Sequence, residues 1–190
     1  LDVASTNLKT INELIDRMGR ITASLRSFAR RGDNKGQASL GKAVDAALQV
    51  LGARVETSAL NVHRQFIDVQ VQIDQTRLEQ ILVNLIGNAL DAMQAQPQPE
   101  LWLEGEEFNG KYRLRVRDNG HGIDAEARKH LFEPFFTTKP GEQGLGLGLT
   151  LSASLAAATG GHLGVEHPAS GGTTFVLSLP LVSPTPAEPI

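Results

Sequence analysis

The sequence predicts an α/β domain over residues 37–180, preceded by one long helix over residues 3–31. Hydrophobic residues recur at three- and four-residue steps in some stretches and alternate at two-residue steps in others, the signatures of helices and half-buried strands. Two alternating stretches flank Asn109-Gly110, the strongest short hairpin signal a sequence carries. A glycine run, Gly144-x-Gly146-x-Gly148, then passes directly into a helical pattern.

In residues 3–31, Leu8, Ile11, Ile15, Met18 and Leu25 form an apolar stripe that Leu14, Ile21 and Phe28 widen. A stripe this wide suits a helix bundle better than a two-stranded seam. Arg20, Arg26, Arg30 and Arg31 gather towards its end, where the helix dipole favours cations. The helix either packs on its own domain or pairs with another chain; the lack of a second long amphipathic helix here favours pairing. Residues 32–36, Gly-Asp-Asn-Lys-Gly, read as a hinge.

Within the domain, Leu40 to Ala53 is expected to be helical, with Val44, Leu48 and Leu51 on one face. Val62 to Val69 reads as a strand, and Gln75 to Gln94 as a helix carrying Leu78, Ile81, Leu82, Leu85 and Leu90. Gln96-Pro-Gln-Pro99 ends that helix. Strands over Glu100 to Phe108 and Lys111 to Arg117 form the hairpin. Leu147 to Thr159 reads as a helix stopped by Gly160-Gly161, and His162 to Glu166 and Thr173 to Leu179 as closing strands. Residues 181–190 are expected to be a disordered tail, with three prolines after Val182.

Composition narrows the function classes. With 190 residues and 41% hydrophobic content, the chain has room for one compact domain and an appendage. A net charge of −3 offers no basic surface for nucleic acid. The absence of cysteine removes disulfide and thiolate chemistry and fits a reducing compartment. No apolar run approaches the roughly 20 residues that span a bilayer. The chain opens inside a helical pattern, Leu1-Asp2-Val3, as a piece of a longer protein would.

Four motifs carry chemistry. Asn84 and Asn88 are four apart, on one helix face, and Asp91 lies a turn further on. An amide oxygen can ligate Mg²⁺, which takes oxygen ligands and keeps water and phosphates as the rest; alone, such a pair reads more often as surface or internally capped amides. Asp118-x-Gly120-x-Gly122 follows a strand. It is either a surface turn or a carboxylate accepting the exocyclic amine of adenine, which an ionised acceptor prefers to guanine. Gly144-x-Gly146-x-Gly148 at a helix start makes an anion site from backbone N–H groups. It is neither the dinucleotide pattern, since Leu149 stands where glycine would, nor a P-loop, which needs Gly-Lys-Ser/Thr. Gly171-Gly172-Thr173 is a hairpin turn, or brings a hydroxyl near a base. Before the glycine run, Phe132-Glu-Pro-Phe-Phe-Thr-Thr138-Lys139 supplies aromatics to anchor a mobile lid and a cation for a terminal phosphate.

In this order, the motifs resemble the conserved boxes of two-component sensor histidine kinases, from the asparagine box through the phenylalanine box to the third glycine box. The resemblance covers residues 37–180, and residues 3–31 resemble the second helix of that family's dimerisation and phosphotransfer hairpin. Asn88-Ala-x-Asp91-Ala and the short lid look most like the nitrogen-regulation and dicarboxylate-sensor subgroup. The resemblance implies the Bergerat fold of the GHKL group, a two-layer α/β sandwich with a mixed sheet and helices on one face, holding ATP with Mg²⁺. Carried over by position, Asn88 is the Mg²⁺ ligand and Asn84 a nearby contact with a catalytic part. Asp118 reads adenine with Gly120, Gly122, Ile123 and Thr173 around it. Gly144, Leu145, Gly146, Leu147 and Gly148 hold phosphates, with Phe132, Thr138 and Lys139 in the lid. Many sensor kinases carry a basic residue where Asp91 stands; here that contact is absent, so its role is expected either to fall to Lys139 or to be missing.

Two departures matter. Related ATPases place a water-activating glutamate where Asn84 stands, and an amide is not a general base; little hydrolysis is expected. The five histidines, His63, His121, His130, His162 and His167, lack the acidic follower of the family's phosphoacceptor. That acceptor is expected upstream, with phosphoryl relay to a response regulator receiver domain. The resemblance further implies a homodimer through the hairpin, a cytoplasmic location, and membrane attachment only through upstream segments. The alternatives are a GHKL-type ATPase, which would turn over ATP steadily, an anti-sigma-type serine kinase, which would lack the bundle helix, and a nucleotide-binding signalling module without catalysis.

Overall fold

A computed structural model describes residues 36–138, 145–166, 168 and 171–182. The N-terminal helix over 3–31, nearly all of the hinge, and residues 183–190 lie outside the described residues, as do Lys139 and Gly144.

The described chain runs β1 (Ala38–Ser39), α1 (Leu40–Val50), α2 (Gly52–Thr57), β2 (Asn61–Gln65), β3 (Gln70–Val71), α3 (Gln75–Ala92), β4 (Glu100–Phe108), β5 (Lys111–Asp118), α4 (Ala125–His130), α5 (Gly148–Ala157), β6 (His162–Glu166) and β7 (Thr174–Pro180). A five-stranded sheet has the order β2-β4-β5-β7-β6, and β1 and β3 form a separate two-stranded ribbon. Only the β2–β4 pair of the larger sheet is parallel. The fold is the expected two-layer α/β sandwich with a mixed sheet.

Alternation builds the layers. Along β5, Tyr112, Leu114, Val116 and Asp118 are buried while Lys111, Arg113, Arg115 and Arg117 are not. Leu114 lies beside Leu177 of β7, and Leu177 beside Leu163 of β6, so one sheet face is continuously apolar. Helix α3 meets it with Leu78, Ile81, Leu82, Leu85 and Ile86, all fully buried. The other face is polar, with the Arg117 guanidinium 4.8 Å from the Trp102 ring centroid and His63 stacked on that ring at 5.4 Å. Among the described residues, no helix is long and apolar enough to cross a membrane.

The boundaries depart from expectation where tertiary contacts intervene. The helix expected from Leu40 to Ala53 breaks at Leu51, which leaves helical geometry to stay buried and lets α2 start at Gly52. The strand expected to reach Val69 stops at Gln65, because the Tyr112 hydroxyl accepts from Ile67 N at 3.2 Å in place of a strand partner. The tail's first residues are paired: Leu181 bridges Val71, and Val182 N donates to Gln70 O at 3.0 Å. Short α4 is an element the hydrophobic pattern does not show. Asp124 caps it, its Oδ1 accepting from Glu126 N and Ala127 N at 3.0 and 2.8 Å.

Candidate functional site

The site begins where β5 ends. Asp118 is the last residue of β5 and only 1% exposed. Its Oδ1 accepts two backbone N–H bonds, from Gly120 at 2.8 Å and Thr173 at 3.2 Å. Its own N–H donates to Thr173 O at 2.9 Å, so the side chain is fixed from both neighbouring segments. Oδ2 takes no hydrogen bond among the described residues and is not among the polar atoms sealed in protein. Burial pushes the Asp118 carboxyl above its ordinary range, opposed by the N–H bonds from Gly120 and Thr173.

Glycines make that approach possible. A Cβ on Gly120 would lie 2.7 Å from the Ala92 carbonyl oxygen, and His121 N donates to that same oxygen at 3.3 Å. The loop after β5 is thereby clamped to the C-terminal end of α3. Gly172, at φ +80°, sits where a Cβ would run into the Asp118 carbonyl oxygen. Gly122 approaches Gly172 in turn, with a Cβ position 3.2 Å from its carbonyl oxygen. Ile123 is partly buried against the core.

The other end is built from α3 and α5. Asn84 and Asn88 are both half-buried, and Asn84 Nδ2 donates to Ser152 Oγ at 3.1 Å. Gly148 opens α5 directly against the Asn84 side-chain amide, which a Cβ there would displace. The first turn of α5 has no side-chain cap, so its N–H groups remain donors for an anion. Leu145 and Leu147 flank the turn and are half-buried.

Gly146, at φ +64°, is pressed against the backbone of Phe135 and Phe136, and its carbonyl accepts from Phe135 N at 3.0 Å. Thr150 Oγ1 donates to Phe132 O at 3.0 Å, which fastens the aromatic segment to α5. Phe132 packs partly against the core, whereas Phe135 is 74% exposed at φ +67° and Thr138 is exposed.

Asp91 pairs with a residue from another element. The Arg54 guanidinium of α2 places Nη2 2.5 Å from Asp91 Oδ1 and 3.5 Å from the Gly87 carbonyl oxygen. The structure therefore brings Asn84, Asn88, Asp91, Asp118, Gly120, Gly122, Gly146, Gly148 and Thr173 around the C-terminal half of α3. Sequence reasoning missed Ser152, Ala92 and Arg54 as parts of this site, whereas Gly172 belongs to the glycine pair it had marked before the last strand. Ser152 had a signal in its position a turn after Gly148. Nothing local marked Arg54.

The arrangement fits an adenine nucleotide. One carboxylate oxygen is locked by backbone donors and the other is left to accept an exocyclic amine. A helix face carrying two amides follows, and then an uncapped helix N-terminus.

Comparison with known proteins agrees. Residues 73–183 match the model of the histidine kinase-, DNA gyrase B- and HSP90-like ATPases. The chain is 39% identical over 179 residues to the C4-dicarboxylate transport sensor protein DctB of Rhizobium meliloti, covering 93% of this chain and 28% of that one. It is 36% identical over 168 residues to the sensor protein FixL of Bradyrhizobium diazoefficiens, covering 86% and 33%. The mycobacterial sensor histidine kinase MprB superposes with a TM-score of 0.68 at 26% identity, over 77% of this chain and 97% of that one. This chain thus spans about a third or less of the curated relatives it matches. The family match over residues 73–183 and these likenesses place the chain in the histidine kinase-, gyrase- and HSP90-like ATPase family, among the ATP-binding domains of sensor histidine kinases.

Proposed function

We propose that this domain binds Mg·ATP and donates its γ-phosphoryl group to a histidine outside these 190 residues, for relay to a response regulator aspartate. The observation that carries the reading is Asp118, buried, immobilised through Oδ1, with Oδ2 left to accept. Adenine offers a donor there and guanine does not. Asn88 supplies an oxygen for Mg²⁺, and Asn84, held by Ser152, lines the same helix face. Gly146 and Gly148 line the phosphate side in this reading, and the family resemblance assigns Gly144 and Lys139, outside the described residues, to the phosphates as well. Phosphoryl transfer depends mainly on positioning and charge stabilisation, the contributions such a pocket makes.

The four described histidines support an external acceptor. His63 and His162 lie in strands, His121 in the loop after β5, and His130 ends a six-residue helix. A kinase of this fold, ThkA, has been solved bound to its response regulator TrrA, and a receiver domain is the partner we assign here. Dimerisation through residues 3–31 and a cytoplasmic location belong to the same reading.

Titration calorimetry tests the pocket: ATP should bind, GTP should not, and Asp118→Asn should cost about 100-fold in ATP affinity, because the new amide turns a donor on the adenine amine. Incubation with γ-labelled ATP tests the chemistry. No label should appear on this chain, and label should appear on an added hairpin domain carrying the acceptor histidine. Phosphohistidine on the chain itself would remove the external acceptor. Steady phosphate release would favour the ATPase reading, which Asn84 opposes because an amide does not activate water.

A further inference from the structure

The ligand face of α3 has two flanks. Ala92 touches Gly120 and the adenine-reading loop, while Gly87 touches Arg54. Five residues at 3.6 per turn set these flanks about 140° apart. Asn84, Asn88 and Asp91 lie between them. A nucleotide with its base at Asp118 therefore extends its phosphates across Asn88 and Asp91 towards the Arg54 side.

That path crosses a carboxylate, which repels a polyphosphate unless it is neutralised. Arg54 neutralises it using a single nitrogen. Nη2 serves both Asp91 and the Gly87 carbonyl, while Nε and Nη1 have no hydrogen bond among the described residues. The Arg54 side chain is 46% exposed, so these donors are open to a ligand, and Asp91, at 29%, holds the planar head in place.

We propose that Arg54, oriented by Asp91, is a phosphate-binding residue of this site and contacts the terminal phosphate of ATP. The proposal rests on the nucleotide reading above. A spatial pair then supplies from α2 the cation that position 91 of the helix itself lacks. Asp91 is a positioning residue in this arrangement, acting on phosphate only through Arg54.

The test compares ATP, ADP and AMP binding by calorimetry in the full chain. Arg54→Gln should weaken ATP about tenfold, as expected for one charge-assisted hydrogen bond, and leave AMP affinity unchanged. Arg54→Lys should recover part of the ATP preference. In Arg54→Gln/Asp91→Asn the loss should persist; full recovery would reduce Arg54 to a counter-ion of Asp91 and overturn the proposal. Equal losses for ATP and AMP would make Arg54 structural and also overturn it. Failure of the unmodified chain to bind any adenine nucleotide would instead refute the nucleotide reading itself.

Discussion

The proposed base end and the proposed phosphate end of the site are built by different means. At the base end, Asp118 is held by backbone donors from two loops, and the close contacts are glycine against backbone, with the Ala92 methyl beside Gly120. At the phosphate end, Asn84, Ser152, Arg54 and Asp91 hold one another through side chains that are mostly half-exposed. The first arrangement is fixed by the fold itself, since moving Asp118 means moving β5 or the turn before β7. The second can rearrange by rotamer changes alone. In the proposed function, base recognition is therefore preorganised, whereas the phosphate side retains the freedom a transfer step needs.

The largest expected effect breaks the base end. Gly172→Ala adds a Cβ where the Asp118 carbonyl oxygen lies, at φ +80°. The left-handed backbone costs about 1 kcal/mol and the overlap about 1–3 kcal/mol more. Thermal unfolding should show a loss of about 2–4 kcal/mol, with ATP binding lost. A variant of ordinary stability that still binds ATP would mean that the turn before β7 is not what fixes Asp118.

Acidity should separate the ends next. Because burial raises the Asp118 carboxyl, the folded chain binds its proton at a higher pH than the unfolded chain does. This group therefore destabilises the fold above its folded pKa, and acidification relieves that cost. In the proposed function, the same proton removes the acceptor for adenine. ATP affinity should fall on acidification while carboxylates of ordinary pKa, near 4, are still ionised, without this group weakening the fold. Calorimetry from neutral pH to about 5 checks this, and Asp118→Asn should remove that component of the pH dependence.

Gly148→Ala acts on the phosphate end. The added methyl meets the Asn84 amide, a side chain that can swing aside. Stability should drop by about 1 kcal/mol or less, whereas ATP affinity should fall about tenfold, as for one lost phosphate hydrogen bond. Comparable losses at Gly148 and Gly172 would erase the contrast between the ends.

The same contrast governs what the sequence reveals. The base end was legible because its requirements are local: Asp118 follows a strand, and Gly120, Gly122 and Gly172 mark places where backbone must pass backbone. Helix α3 was legible from its period, and the asparagines from their spacing on it. Arg54 was not, since its partner Asp91 is 37 residues away and an arginine near a helix end usually reads as a solvated cation. The break at Leu51 and the early stop of β2 depend on burial and on the Tyr112 hydroxyl, neither of which has a periodic signature. The β1–β3 ribbon joins two-residue strands too short for alternation to register. Backbone constraints leave glycine and turn residues in the sequence, while side-chain constraints across elements leave ordinary polar residues.

Ser152→Ala tests the smallest part of the contrast. Ser152 is buried at 3% exposure and its Oγ accepts from Asn84 Nδ2 at 3.1 Å. Alanine is nearly isosteric and creates no cavity of consequence, so the fold should lose only the net worth of one hydrogen bond, about 0.5–1.5 kcal/mol. Asn84, half-buried and beside the uncapped start of α5, can redirect its amide to water or to phosphate. ATP affinity should therefore change less than in Gly148→Ala, and adenosine affinity not at all. If Ser152→Ala instead reduced adenosine and ATP binding together, Asn84 would be transmitting its position along α3 to Ala92 and the loop at Gly120. The two ends would then be one rigid unit rather than a fixed base reader joined to an adjustable phosphate holder.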